Sequence, residues 1–264
     1  MKRRNFVRTT ALGSLALGIG GWSNSAKTHI LSLSFDDGFK KSFYKASEIH
    51  EAYGLKACLN VIASGHMRSF KAIDKWILPE LLGNFDDWNT LKQRGHEVMP
   101  HTWQHDNLTK IPIEQAKENI DKCLDYFEEH LEGYEPSESV YNFAFNASNI
   151  ELDNYALQRV QAVRTGAHLV LKDSLINKIP VSSKPVRLGC WGKGPGFGDD
   201  YVEEQVNAFL KGSGGWMIIN LHGLDDEGWG PLRTSYLDNL LKRLVKIDYL
   251  DVLPTGEVLK QLKK

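Results

Sequence analysis

"HILSLSFDDGFKKSFYKASEIHEAYG", residues 29 to 54, joins two periodicities in one short stretch. Residues 29 to 35 form an apolar run of strand length, and Phe43, Ala46, Ile49 and Tyr53 then recur at helical spacing until Gly54 stops the helix. This is one strand-then-helix unit, with Asp36, Asp37 and Gly38 at the junction.

The unit repeats. Apolar runs in "LKACLNVIA" (55–63), "HEVMP" (96–100), "SVYNFAF" (139–145), "QAVRT" (161–165), "WMIINL" (216–221) and "YLDVLP" (249–254) supply the strands. Helical patterns lie near 86–94, 113–130, 151–159, 201–211 and 235–246, and a last helix begins at the cap Thr255. Such an order favours a parallel sheet covered by helices, either closed as a barrel or open and doubly wound. No linker divides the pattern, and 42% hydrophobic residues suffice for one substantial core, so residues 27–264 read as a single catalytic-size domain. The Gly-rich "GCWGKGPGFGDD" (189–200) lacks the strand-to-helix setting of a phosphate loop and reads as a surface or lid loop. Residues 64–84 read as an insertion with no assigned partner.

The 32 lysines and arginines balance 33 aspartates and glutamates without a long block of one sign, which argues against a nucleic-acid or acidic-membrane surface. A small or neutral partner fits better. Residues 1–26 differ from the rest: "MKRRNFV" is basic, "ALGSLALGIG" is apolar, and "GWSNSA" offers small residues to a signal peptidase. They read as an export signal, too short in its apolar part for a permanent span. Arg3, Arg4 and Phe6 resemble a twin-arginine signal, with an ordinary basic leader as the alternative. The expected location is periplasmic or extracellular. Cys58, Cys123 and Cys190 are an odd, scattered set that makes neither a disulfide framework nor a cysteine zinc knuckle, so any metal ligands must be histidine and carboxylate.

In parallel barrels, functional groups collect where strands end. The apolar runs deliver Asp36 and Asp37, then His101 and His105, Asn146, Arg164, and His222. Alone, "SFDDG" reads equally well as an Asp-Gly turn, and His101 and His105 as two histidines beginning a helix. On a helical turn, their four-residue spacing would put both imidazoles on one face. Together the two stretches supply carboxylate and two imidazoles, leaving open positions as a catalytic metal site requires. His222 suits proton delivery to a leaving group near neutral pH. Trp103, Trp191 and Trp229 lie in or near the presumed site loops; core burial is expected of Trp103 and Trp191, and Trp229 is the expected pocket wall.

"LSFDDG", "GHEVMPHTWQHDNL", and "IINLHG" followed by "GWGPL" resemble the first, second and last motifs of the polysaccharide deacetylase family, the NodB-like carbohydrate esterases of family 4. The resemblance implies a distorted, incompletely closed (β/α) barrel. It makes Asp36 the general base, His222 the general acid, and Asp37, His101 and His105 the ligands of a divalent ion. Zinc is the default ion, with cobalt, nickel and manganese as alternatives. The implied reaction is metal-assisted hydrolysis of an acetylated oligo- or polysaccharide, with Leu221 and Trp229 lining the acetyl pocket. The third motif departs from the family: where members carry an Arg-Pro-Pro-Tyr or Phe-Ala-Tyr-Pro-Tyr-Gly type, this chain has "NFAFNAS". Ala144 stands in place of the arginine, leaving the backbone N–H of Ala147 as expected oxyanion donor and Arg164 as the replacement positive charge beside Asp36. The Asp-Trp pair that often orients the catalytic histidine has no clear counterpart, so Asp199 or Asp200 is expected in that role. A catalytically impaired, glycan-binding relative is the competing reading, favoured by the altered motif. Retention of both aspartates and all three histidines favours the enzyme.

Overall fold

A computed structural model describes residues 27–72, 75–172, 174–182 and 184–261. The leader expected at 1–26 lies outside these described residues. The strands are β1 (His29–Phe35), β2 (Cys58–Val61), β3 (Glu97–Pro100), β4 (Val140–Asn142), β5 (Ala162–Gly166), β6 (Ile176–Asn177), β7 (Val186–Cys190), β8 (Gly215–Leu221) and β9 (Leu250–Val252). The helices are α1 (Lys40–Ala52), α2 (Phe85–Gln93), α3 (Ile113–His130), α4 (Ile150–Ala156), α5 (Ala167–Val170), α6 (Asp199–Leu210), α7 (Thr234–Leu244) and α8 (Thr255–Gln261).

All of β1 is buried, as expected for a strand covered on both faces. It pairs in parallel with β8 along its whole length, from His29 opposite Gly215 to Phe35 opposite Leu221. On its other side it pairs with β9 at its start and β2 at its end, and β3 continues beyond β2. β4, β5 and β7 form a second parallel sheet. The sheets approach at two seams: a bridge joins Trp191 to Ile219, and the Asn142 side chain donates to the Pro100 carbonyl oxygen at 3.2 Å. The second seam is a side-chain bond in place of a ladder, which leaves the ring of strands incompletely closed, in agreement with the expected distorted (β/α) barrel.

The helices pack as their periodicity dictates. α3 buries Ala116, Ile120, Cys123, Leu124 and Phe127 along one stripe. α2 begins with a reciprocal capping box between Asn84 and Asp87. α1 starts earlier than the spacing of its apolar residues suggested, at Lys40. The Gly-rich stretch 189–200 needs a correction: Gly189 and Cys190 belong to β7, and Asp199 and Asp200 open α6. Gly189 is required by close approach, since a Cβ there would lie 2.9 Å from the Ala167 Cα. The 64–84 insertion also finds its partner. Phe70 and Ile77 pack on Phe39 and Ile62, folding the segment over the C-terminal ends of β1 and β2. Among the described residues, no helix is long and apolar enough to cross a membrane.

Candidate active site and metal centre

Immediately after β1 the Asp36 N–H still pairs with the Leu221 carbonyl oxygen, at 2.8 Å, whereas Asp37 turns into left-handed backbone with φ 79°. That change of direction separates two adjacent carboxylates. Asp36 stays among the strand ends while Asp37 faces the segment that follows β3. Such backbone in a non-glycine residue is uncommon and collects at functional sites.

His101 and His105 do not begin a helix, contrary to one reading of their spacing. Thr102 and His105 adopt left-handed backbone, with φ 65° and 61°, and the His105 N–H donates to Thr102 Oγ1 at 3.0 Å. This tight turn, in place of a helical one, brings the two rings to 5.2 Å between centroids. Both imidazoles reach Asp37: His101 Nε2 lies 3.4 Å and His105 Nε2 3.3 Å from Asp37 Oδ1. His101 Nδ1 donates to the Asn142 carbonyl oxygen at 3.0 Å, which fixes the ring and leaves Nε2 with its lone pair toward Asp37.

The donor set fits a divalent ion. Asp37, His101 and His105 are all buried, and each offers a ligand atom within 4.8 Å of the others. Asp37 Oδ1 is shut from solvent without a hydrogen-bond donor. Ligand atoms about 2.1 Å from a tetrahedral ion lie about 3.4 Å apart, close to the spacing seen here. One carboxylate and two imidazoles leave coordination positions open, and none of the three is a soft thiolate.

Asp36 sits beside this group, its Oδ2 3.7 Å from His101 Nε2. It accepts from Asn60 Nδ2 at 2.7 Å, Arg164 Nη2 at 2.6 Å and Asn220 Nδ2 at 2.6 Å. Arg164, on β5, is wholly buried, so the expected positive charge beside Asp36 is supplied from the strand after the altered motif. Burial opposes its charge, and Asp36 more than compensates. Two further donor paths run from the guanidinium to the same carboxylate. Arg164 Nε donates to Asn142 Oδ1, Asn142 to Asn60, and Asn60 to Asp36, at 2.6, 2.9 and 2.7 Å. Arg164 Nη1 meets Cys190 Sγ at 3.3 Å, Cys190 donates to Asn146 Oδ1 at 3.1 Å, and Asn146 donates to Asn220 at 3.0 Å. Burial pushes the Cys190 thiol up to about 11, so it keeps the hydrogen it donates.

Asp36, Asp37, His101, His105 and His222 line one cavity of about 410 Å³, together with Asn146 and Asn220. Its apolar walls are Phe145, Trp229, and Trp76 and Ile77 from the 64–84 segment. Trp229 stands edge-on to His222, with centroids 5.5 Å apart. A Cβ on Gly194 would lie 2.5 Å from the Trp229 ring, so the Gly-rich loop seats that wall. Burial lowers the His222 pKa, with Asp37 and Asp36 opposing.

Three expectations are not met. The Ala147 N–H already donates to the Ala144 carbonyl oxygen at 3.1 Å, so it is committed within its own turn. Leu221 does not line the cavity, because strand alternation turns Asn220 toward it and Leu221 into the main core. Asp199 binds the Arg233 N–H and guanidinium in place of His222, and Asp200 lies exposed on α6. Trp103, by contrast, is buried in the core against Tyr126, as expected of it. Sequence reasoning missed Asn60, Asn142, Asn220, Cys190, Trp76 and Ile77. The signal for the asparagines was their place inside apolar runs, where a buried amide must have partners.

The model of the polysaccharide deacetylase family matches residues 23–158, about half of the chain. The chain belongs to the polysaccharide deacetylase family. Solved members share its fold. A Mycobacterium smegmatis protein assigned to the polysaccharide deacetylases superposes with a TM-score of 0.68 at 13% identity, over 91% of this chain and 92% of that one. The peptidoglycan deacetylase PdaC of Bacillus subtilis gives 0.53 at 17% identity, over 89% and 92%. A family 4 carbohydrate esterase from Streptomyces lividans, solved with acetate, gives 0.53 at 12% identity, over 86% and 93%. At these identities the likeness is one of fold. No curated protein matches this deacetylase-family chain.

Proposed function

We propose that this chain is an exported, metal-dependent hydrolase that removes acetyl groups from N- or O-acetylated carbohydrate. One observation carries the reading: the buried Asp37–His101–His105 group shares its cavity with an anchored Asp36 and with His222. A binding module has no need of base, acid and ligand set together. Export follows from the basic-then-apolar residues 1–26, and zinc is the default ion for one carboxylate and two imidazoles.

When bound, the ion supplies Lewis acidity that lowers the pKa of a water and polarises the acyl carbonyl. Asp37, His101 and His105 hold it. Asp36 takes the proton of the attacking water, its orientation fixed by Asn60, Arg164 and Asn220. Water oxygen bonds to the acyl carbon, the bond to the sugar nitrogen or oxygen breaks, and His222 protonates that leaving atom. A lowered pKa makes the His222 imidazolium the stronger acid. Trp229, Phe145 and Trp76 offer apolar faces to the C–H face of a sugar. The acetate found with the Streptomyces lividans esterase is the expected acid product here.

The test is acetate release from a panel of N- and O-acetylated oligosaccharides, peptidoglycan fragments included, after metal removal and after zinc or cobalt is restored. Metal-dependent release supports the proposal and begins to identify the sugar. Release from small N-acyl compounds alone would make the protein a non-sugar amidase. No release on any substrate, with one metal bound per chain, would make it a glycan-binding relative.

A further inference from the structure

The segment that departs from the family motif has spent the backbone amide expected to serve catalysis and the one before it. Asn146 N–H donates to Phe143 and Ala147 N–H to Ala144, each at 3.1 Å. In the same turn Phe145 and Asn146 both adopt left-handed backbone, with φ 58° and 50°. Asparagine tolerates that region, but phenylalanine does so only under strain, so the surrounding packing has to hold the pair in place. Part of that packing is the Phe145 ring against His105, with centroids 4.7 Å apart. The consequence is that the Asn146 side chain lines the cavity between the metal-site turn and Asn220.

The orientation of this amide follows from the charges at the two ends of its network. A guanidinium only donates, so the Arg164 N–H on Cys190 Sγ obliges the thiol hydrogen to go the other way, to Asn146 Oδ1 at 3.1 Å. At the other end Asp36 accepts from Asn220 Nδ2, so Asn220 turns its oxygen to Asn146 and takes an Nδ2–H at 3.0 Å. Oxygen toward Cys190 and nitrogen toward Asn220 is therefore the single arrangement in which every contact pairs a donor with an acceptor. Nδ2 carries a second hydrogen, for which the described residues provide no acceptor.

We propose that this second N–H of Asn146 is the protein's oxyanion donor, replacing the backbone amide that the altered motif no longer offers. The assignment rests on the deacetylase reading above. As the water oxygen bonds to the acyl carbon and Asp36 takes the water proton, the carbonyl electron pair moves onto the acyl oxygen. Asn146 donates a hydrogen bond to that oxygen without giving up its proton. The pair returns as the bond to the sugar breaks, and the leaving atom takes its proton from His222. An amide already oriented by its partners needs little reorganisation as this charge develops.

The decisive variant is Asn146→Gly, because glycine suits φ 50° and removes only the side chain. Zinc content and thermal midpoint are measured first, then kcat, KM, and the affinity for a methylphosphonate analogue of the acetyl group on the same sugar. Removal of one oxyanion donor is expected to lower kcat about 10²- to 10³-fold with KM little changed. Affinity for the tetrahedral analogue should fall by the same factor, while affinity for the intact substrate holds. A merely structural asparagine would not separate the two ligands. The isosteric Asn146→Asp, which exchanges the donor for an acceptor, must lose at least as much, and it stands in should the glycine variant lose its zinc. An active wild type whose two variants keep kcat and analogue affinity within about threefold overturns the Asn146 assignment alone. A wild type that releases no acetate overturns the deacetylase reading, and this assignment with it.

Discussion

Arg164 Nη2 lies 2.6 Å from Asp36 Oδ2, with the two side chains 0% and 2% exposed. A buried pair of this kind does not by itself add much stability, because desolvating both ions offsets their attraction. Its value here is geometric. The guanidinium addresses Asp36 directly and through two relays, so the carboxylate meets the cavity in one orientation. Removing the cation is far more damaging than the pair is stabilising. Arg164→Met is expected to lose roughly 3 to 5 kcal/mol in urea unfolding, because it strands Asp36. Arg164→Lys keeps the charge but not the fork, so it should unfold less readily than Arg164→Met and still lose activity. Equal stability of Arg164→Met and wild type would mean that the pair is not buried in solution.

The proposed base and the proposed metal ligands can be separated by mutation. Asp36→Asn should abolish acetate release, by about 10²-fold or more, while zinc content measured by elemental analysis stays near one per chain. His101→Ala should lose the zinc, because it removes one of the three groups proposed to hold it and frees the Asn142 carbonyl oxygen that oriented the ring. Wild-type turnover in Asp36→Asn would show the base to be elsewhere.

How much of this site was legible follows from where each residue lies along its strand. Asp37, His101, His105 and His222 stand just past apolar runs, where position marks them without any fold in hand. The turn that joins His101 to His105 was not legible, since four-residue spacing also describes a helix and only the backbone distinguishes them. Asn60, Asn142 and Asn220 were hidden for the opposite reason: they sit inside β2, β4 and β8, in runs that read as core. β7 escaped because Arg187 and Gly189 break its apolar pattern, and Arg187 is held from outside by Asp153 at 2.6 Å. Ala147 failed as a donor because hydrogen bonding within a turn cannot be read from residue types.

Ligand binding to the folded state alone stabilises it. Zinc at about a hundred times its dissociation constant should add about 2.7 kcal/mol and raise the thermal midpoint by roughly 5 to 10 °C. The same addition should leave His101→Ala unmoved. Scanning calorimetry with and without chelator measures both, and an equal shift in the two proteins would place the ion outside the Asp37 group.

His50, on the inner face of α1, should make stability depend on pH. It is buried against Phe35, and its Nδ1–H donates to the Ala46 carbonyl oxygen at 2.7 Å. Burial lowers its pKa from 6.5 to about 4, with the Ala46 bond opposing and the nearby His96 adding to the fall. In the unfolded chain the ring titrates near 6.5. Between these values the unfolded state binds more protons, so stability falls as pH drops below about 6.5 and levels off below about 4. A shift of this size corresponds to about 3 kcal/mol across the window. His50→Gln removes the titrating ring and should flatten that segment of the curve relative to wild type in urea unfolding between pH 7.5 and 4. Other groups titrate in both proteins and cancel in the difference, so parallel curves would mean that His50 is already solvated in the folded chain.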